Sequence, residues 1–122
     1  MEDLVYSNDP DHPIPQVDVV DIIAAKKSGE VVLAVVIATP LQADERSQKR
    51  LLAKLENYLT YIQSDKFSVK YGAPISSKTS IEVNLAEGSD DIILDLLVRC
   101  TEWARNNGAS LVVKKRPAPQ LH

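Results

Sequence analysis

The residues of this chain that could do chemistry are few and scattered. Asp21 alternates with Val19 and Ile23 in the run Val17-Asp18-Val19-Val20-Asp21-Ile22-Ile23. A carboxylate on an otherwise apolar strand face has its pKa raised if it is buried, which suits a group that gives or takes a proton. The same placement also serves as an inward charge that keeps an edge strand from mispairing. No His or second acid stands at a spacing that would complete an acid–base pair with it. Asp9-Pro10-Asp11-His12 sets two carboxylates beside an imidazole. That order matches no recognised metal-ligand spacing, and a Pro-rich segment fixes little geometry around an ion.

Cys100 is the single cysteine, which excludes a disulfide within the chain and suits a reducing compartment. It lies four residues from both Leu96 and Ala104, so it is expected as a small core residue of a helix, with Arg99 pointing elsewhere and no cation to activate the thiol. The two histidines, His12 and His122, fall in the two tails, so neither a Ser–His nor a Cys–His pair is expected. The four glycines are scattered singly, without a phosphate-cradling loop or a nucleophile elbow. No catalytic, cofactor-binding or metal-ligating residue is assigned, and these absences count against an enzyme. An enzyme or small-ligand binder would have to combine Asp21 with loop residues such as Lys78 or Tyr71.

Charge narrows the partners. With 14 basic and 17 acidic residues the net charge is −3, which does not suit a phosphate backbone as the main partner. The polar alternating residues Ser80, Glu82 and Asn84 offer no aromatic platform for bases. No apolar run reaches membrane-spanning length and the first residues are acidic, so the expected location is the cytoplasm, away from nucleic acid and membrane.

These residues must be positioned by elements that the pattern of apolar residues makes legible. Eight apolar residues from Val31 to Ala38, bounded by Gly29 and Pro40, predict a central strand covered on both faces. Val17 to Ala25 predicts a first strand, joined to it through Lys26-Lys27-Ser28-Gly29. A four-residue turn pairs Ala25 with Glu30 and Asp21 with Ala34; a three-residue loop shifts this pairing by one. Thr39 or Asp44 can cap a helix whose stripe is Leu51, Leu52, Leu55, Leu59 and Ile62, with Tyr58 beside it. Arg46, Lys49, Arg50 and Lys54 fall on the other side and predict a solvated face. The helix should end near Ser64-Asp65. Phe67 to Tyr71 alternates weakly, as a short edge strand would. Ser80 to Ala86 alternates clearly, with Ile81, Val83 and Leu85 inward. Ser89 caps a second helix with Ile92, Ile93, Leu96, Leu97 and Cys100 on its stripe, stopped at Asn107-Gly108. Ala109 to Lys114 predicts a last strand.

The expected architecture is therefore α+β, a two-layer α/β sandwich of order ββα(β)βαβ. Its mixed sheet carries two helices on one face, in ferredoxin-like style. One domain spans residues 17–115, between a Pro-rich arm at 1–16 with little to bury and a short tail at 116–122. The hairpin segment Val17 to Ile23, then Lys27-Ser28-Gly29-Glu30-Val31-Val32-Leu33, then a helix carrying Leu55-x-x-Tyr58-Leu59, resembles a small bacterial family catalogued as a domain of unknown function. The resemblance covers about residues 17 to 115. It implies no established activity, cofactor or functional residue.

Three functions fit these observations. The first is a protein-interaction module that self-associates as a homodimer through Val19, Asp21, Ile23, Val32, Ala34 and Val36, the hairpin face left over once the helices have covered the other. If the hairpin register slips by one, Val20 and Ile22 take the places of Val19 and Ile23. The second is an immunity-type protein masking a basic toxin. The third is a small-ligand binder or enzyme built on Asp21.

Overall fold

The computed structural model describes residues 8–116. Its central strand is β2, Val31–Ile37, where Val31, Leu33, Val35 and Ile37 are buried and the residues between them are half-buried. β-branched side chains suit such a pleat. Strand β3, Thr79–Ala86, repeats the alternation and lies parallel to β2, with Leu33 opposite Ile81 and Val35 opposite Val83. Strand β4, Ser110–Arg116, continues in parallel with Val113 opposite Val83, and β1, Ile22–Ala25, pairs antiparallel with β2. The sheet is mixed and its order is β1-β2-β3-β4. Parallel partners are therefore neighbours, whereas the split unit of a ferredoxin-like sheet holds another strand between them. Nor is β2 covered on both faces, since Val32, Ala34 and Val36 remain half-exposed.

The hairpin adopts the three-residue loop. Lys26 donates its amide to the Glu30 carbonyl at 2.8 Å, so Lys27, Ser28 and Gly29 make the turn, with Gly29 at φ 91°. Ala25 then lies opposite Val31 and Ile22 opposite Ala34. A shift of one residue exchanges the faces of the strand. Ile23 consequently packs against the core, and Ile22 lies on the outer face, 54% exposed.

Helix α1 runs Glu45–Ile62, and its N-cap is Asp44, whose carboxylate accepts from the Ser47 amide. Leu51, Leu55, Tyr58, Leu59 and Ile62 enter one core with the buried residues of β2 and β3. Phe67 to Tyr71 is not a strand. It belongs to helix α2, Asp65–Tyr71, capped by Ser64. Phe67 and Tyr71 meet at helical spacing with ring centroids 5.0 Å apart, Tyr61 meets Phe67 edge-on at 5.7 Å, and Val69 points to solvent. Helix α3 spans Asp91–Arg99 and α4 spans Thr101–Asn106, meeting at Cys100. Asp90, one residue later than expected, caps α3. Ser89 instead turns its hydroxyl to Ala86 and accepts from the Leu41 amide, tying the chain before α1 to the end of β3.

The described part of the N-terminal arm is no solvated tail. The Asp9 amide donates to the Pro15 carbonyl at 2.7 Å, and Asn8 bridges Gln16, folding the segment into a loop. Its Ile14 is 1% exposed and Val17, just after it, 5%, both within the core. The first strand is correspondingly shorter than expected, because residues 17 to 20 follow α1 instead of the sheet edge. Among the described residues no helix is long and apolar enough to cross a membrane.

Candidate functional site

Three places gather polar groups. The first lies where the arm crosses α1. Lys54, expected in solvent, is buried, and its ammonium donates to the carbonyls of Gln16 and Val19 and to Asp21 Oδ1, the last two at 2.7 and 2.9 Å. The Tyr58 ring lies 5.6 Å below the same ammonium, close enough for a cation–π contact. Asp21 Oδ2 accepts from the Val36 amide at 3.0 Å. In the hairpin register Val36 would face Val20, so the carboxylate replaces a ladder acceptor where the strand has already left the sheet. Tyr58 closes the gap: its hydroxyl donates to the Ala34 carbonyl at 2.7 Å and accepts from the Asp21 amide at 2.8 Å. Burial pushes its ionisation well above the ordinary tyrosine range, and the nearby Asp21 carboxylate adds to the rise. The phenol stays protonated as a bridging donor.

Asp21 is thus engaged on both oxygens, and Lys78 and Tyr71, the residues expected to join it in a reaction, lie elsewhere. The Lys78 carbonyl accepts from Val31 at one end of β2, while Asp21 meets Val36 near the other. Five residues of strand separate them by roughly 16 Å. Tyr71 is occupied by Phe67 and Lys70 on α2.

The second place is a relay at the start of α1. Contrary to expectation, a histidine and a serine meet: His12 Nε2 lies 2.9 Å from Ser47 Oγ. Ile14 donates its amide to His12 Nδ1 at 2.9 Å, which fixes Nδ1 as the acceptor and leaves the ring proton on Nε2. His12 therefore donates to Ser47, and Ser47 donates to Asp44 Oδ1 at 2.7 Å. A hydrolytic serine sends its proton the other way, to a histidine whose Nδ1–H is held by a carboxylate. Ser47 is also 3% exposed, so the relay is a buried clasp. The Ser47 hydroxyl lowers the Asp44 pKa, and burial followed by the Arg50 charge lowers that of His12. Arg50, another residue expected in solvent, is fully buried and donates from Nε to the Ile14 carbonyl at 2.9 Å. Arg46 pairs with Asp9. Among the described residues no group of three or more His, Cys, Asp or Glu is placed to hold a metal ion.

The third place is the outer face of the sheet. Val32, Ala34 and Val36 lie there, half-buried, beside Ile22, while the 40%-exposed Val112 lies across β3 from them, beyond Glu82. Ser80, Glu82 and Asn84 of β3 form its polar half, and Lys114 reaches Glu82 at 3.4 Å. Of the residues expected to form an association patch, Val32, Ala34 and Val36 occupy this face. Asp21 stands at its border with its carboxylate committed, Val19 lies in the segment along α1, and Ile23 turns to the core. At the end where β2 and β3 begin, Lys26, Glu30, Lys78, Ser80, Glu82 and Lys114 line an open concavity of about 280 Å³. Three lysines and two glutamates share its lining, so their charges largely offset and no ligand class is singled out.

Sequence reasoning missed Lys54, Arg50 and Ser47 as buried groups. The signal for Lys54 and Arg50 was their i, i+4 spacing with each other, next to the apolar stripe and not across from it.

Fold and site together define a small α+β domain in which the buried Ser47, Arg50 and Lys54 hold an N-terminal strap, and in which one sheet face is half-exposed among the described residues. The chain belongs to the Family of unknown function (DUF6572), which it matches over residues 13–116. That match begins one residue before Ile14, so it includes the strap's anchor, and it ends with β4. No curated protein and no solved structure matches the chain.

Proposed function

We propose that the chain is a small protein-interaction module that pairs with a second copy of itself through the outer face of its sheet, the helices packing on the opposite face. The observation that carries this reading is the position of the arm. The described part of the arm and the segment that follows it run along α1 instead of over Val32, Ala34 and Val36, with the carbonyls of Ile14, Gln16, Val17 and Val19 held by Arg50, Lys54 and Asn57. Val32, Ala34 and Val36, half-exposed among the described residues, are short side chains, which favours the close approach of a second sheet at about 10 Å. The Glu82–Lys114 pair supplies both signs of charge on the face, so a twofold axis can match them. Contiguous apolar surface of this kind marks interfaces more often than free surface.

Light scattering coupled to size exclusion tests the reading. Twice the chain mass of 13.5 kDa is expected for the wild type. Val36→Glu and Ile22→Glu place a charge on the face without touching the core and should each give a folded monomer by circular dichroism. A wild-type monomer at tens of micromolar overturns the proposal.

A further inference from the structure

We infer that His12 is a proton-operated latch, and that protonating its Nδ1 releases Ile14 and loosens the strap of residues 9–17 from α1. The geometry requires Nδ1 to be bare, because it accepts the Ile14 amide at 2.9 Å while Nε2 donates to Ser47. An added proton has no other place on the ring. It would set two donors against each other, and Ile14, at 1% exposure, has no access to water that could take its amide instead. Turning the ring away would sacrifice the Ser47 contact, so neither orientation satisfies a cationic His12.

The latch is coupled to a second bond. Ile14 gives its amide to His12 and its carbonyl to Arg50, so one residue holds both fastenings and its side chain fills the core as well. The charged groups around His12 come from both elements packed there. Asp9 lies on the strap itself, Asp44 caps α1, and Arg46 and Arg50 project from it. Asp9 is engaged by Arg46 and Asp44 by Ser47, so neither carboxylate is free to turn and receive a new imidazolium proton. Burial and Arg50 outweigh them and hold the His12 pKa below its ordinary 6.5. The sign follows from that direction. The unfolded chain binds the proton first as pH falls, so the strap's hold is complete above about 6.5 and is lost as pH falls from there through the lower folded value.

Amide hydrogen exchange on the full chain at about pH 7.5 and about pH 5, corrected for intrinsic rates, reads the latch directly. The Ile14 amide should lose protection by roughly tenfold or more at the lower pH, the size expected for one buried hydrogen bond. Core amides such as Val35 and Val83 should keep theirs. His12→Asn puts an oxygen near the place of Nδ1 with no titrating group, and should hold Ile14 equally at both pH values. His12→Ala should leave Ile14 unprotected at both. Unchanged Ile14 protection in the wild type overturns the inference. So does an equal loss in the core strands, or a pH response that survives in His12→Asn.

Discussion

Replacing Lys54 by Met tests whether the buried ammonium is what fastens the arm. Methionine keeps most of the stem's volume, so the change removes the charge and its three donors with little cavity. Breaking a fully buried ion pair from one side costs about 3–5 kcal/mol. Here the Asp21 side chain is 25% exposed and keeps the Val36 amide, and Val19 is 41% exposed, so water can reach part of what is left. The discounted cost is about 2–3 kcal/mol, a fall in Tm of roughly 8–12 °C for a chain of this size. Urea titration followed by circular dichroism supplies the free energies, and Asp21→Asn completes a double-mutant cycle. The two groups share a hydrogen bond, so the double variant should be more stable than the sum of the single changes predicts by about 1 kcal/mol or more. Added salt should change the coupling little, because the ammonium is out of solvent. A Lys54→Met protein within about 0.5 kcal/mol of wild type, or a cycle with no coupling, refutes the reasoning.

Three further outcomes follow from the same contacts. Tyr58→Phe leaves the Asp21 amide and an Ala34 lone pair without the bridging hydroxyl and should cost about 1–2 kcal/mol in urea unfolding, with the fold retained. Ile14→Ala should cost about 2–4 kcal/mol by the same assay, although the residue sits in a segment of prolines and charges. Burial pushes the Cys100 thiol above its ordinary pKa, so a thiol reagent at neutral pH should label it slowly until denaturant is added.

The elements built on a strong period were legible. The valine run of β2, the alternation of β3 and the leucine stripe of α1 each carry their burial pattern in their own residues, and Asp44 and Gly108 mark ends of helices by local chemistry. Three things were not legible, for distinct reasons. Phe67, Val69 and Tyr71 alternate like a strand, but Phe67 and Tyr71 are also at i, i+4. The Ser64 cap, shared with the end of α1, decides between them. The hairpin register depended on whether Lys26 belonged to the turn or to the ladder, a difference of one backbone hydrogen bond. Arg50 and Lys54 looked solvated because a helix period describes only the helix. What buries them is a set of carbonyls more than 30 residues earlier, which no local pattern encodes. The His12–Ser47 meeting was hidden in the same way.

The long reach of the strap's contacts bears on how the chain is made. The side-chain bonds that fasten it, from His12 to Ser47 at 35 residues apart to Asn57 to Val17 at 40, join it to a helix translated later. At about 5–20 residues per second, Ile14 and Val17 wait roughly 2–8 s after synthesis before their platform exists. Hairpin and helix can form first from nearer neighbours, and the strap closes over them afterwards. Mutations along residues 9–17 should then leave the folding limb of a chevron almost unmoved and steepen the loss on the unfolding side, so that the strap governs how long the folded chain survives.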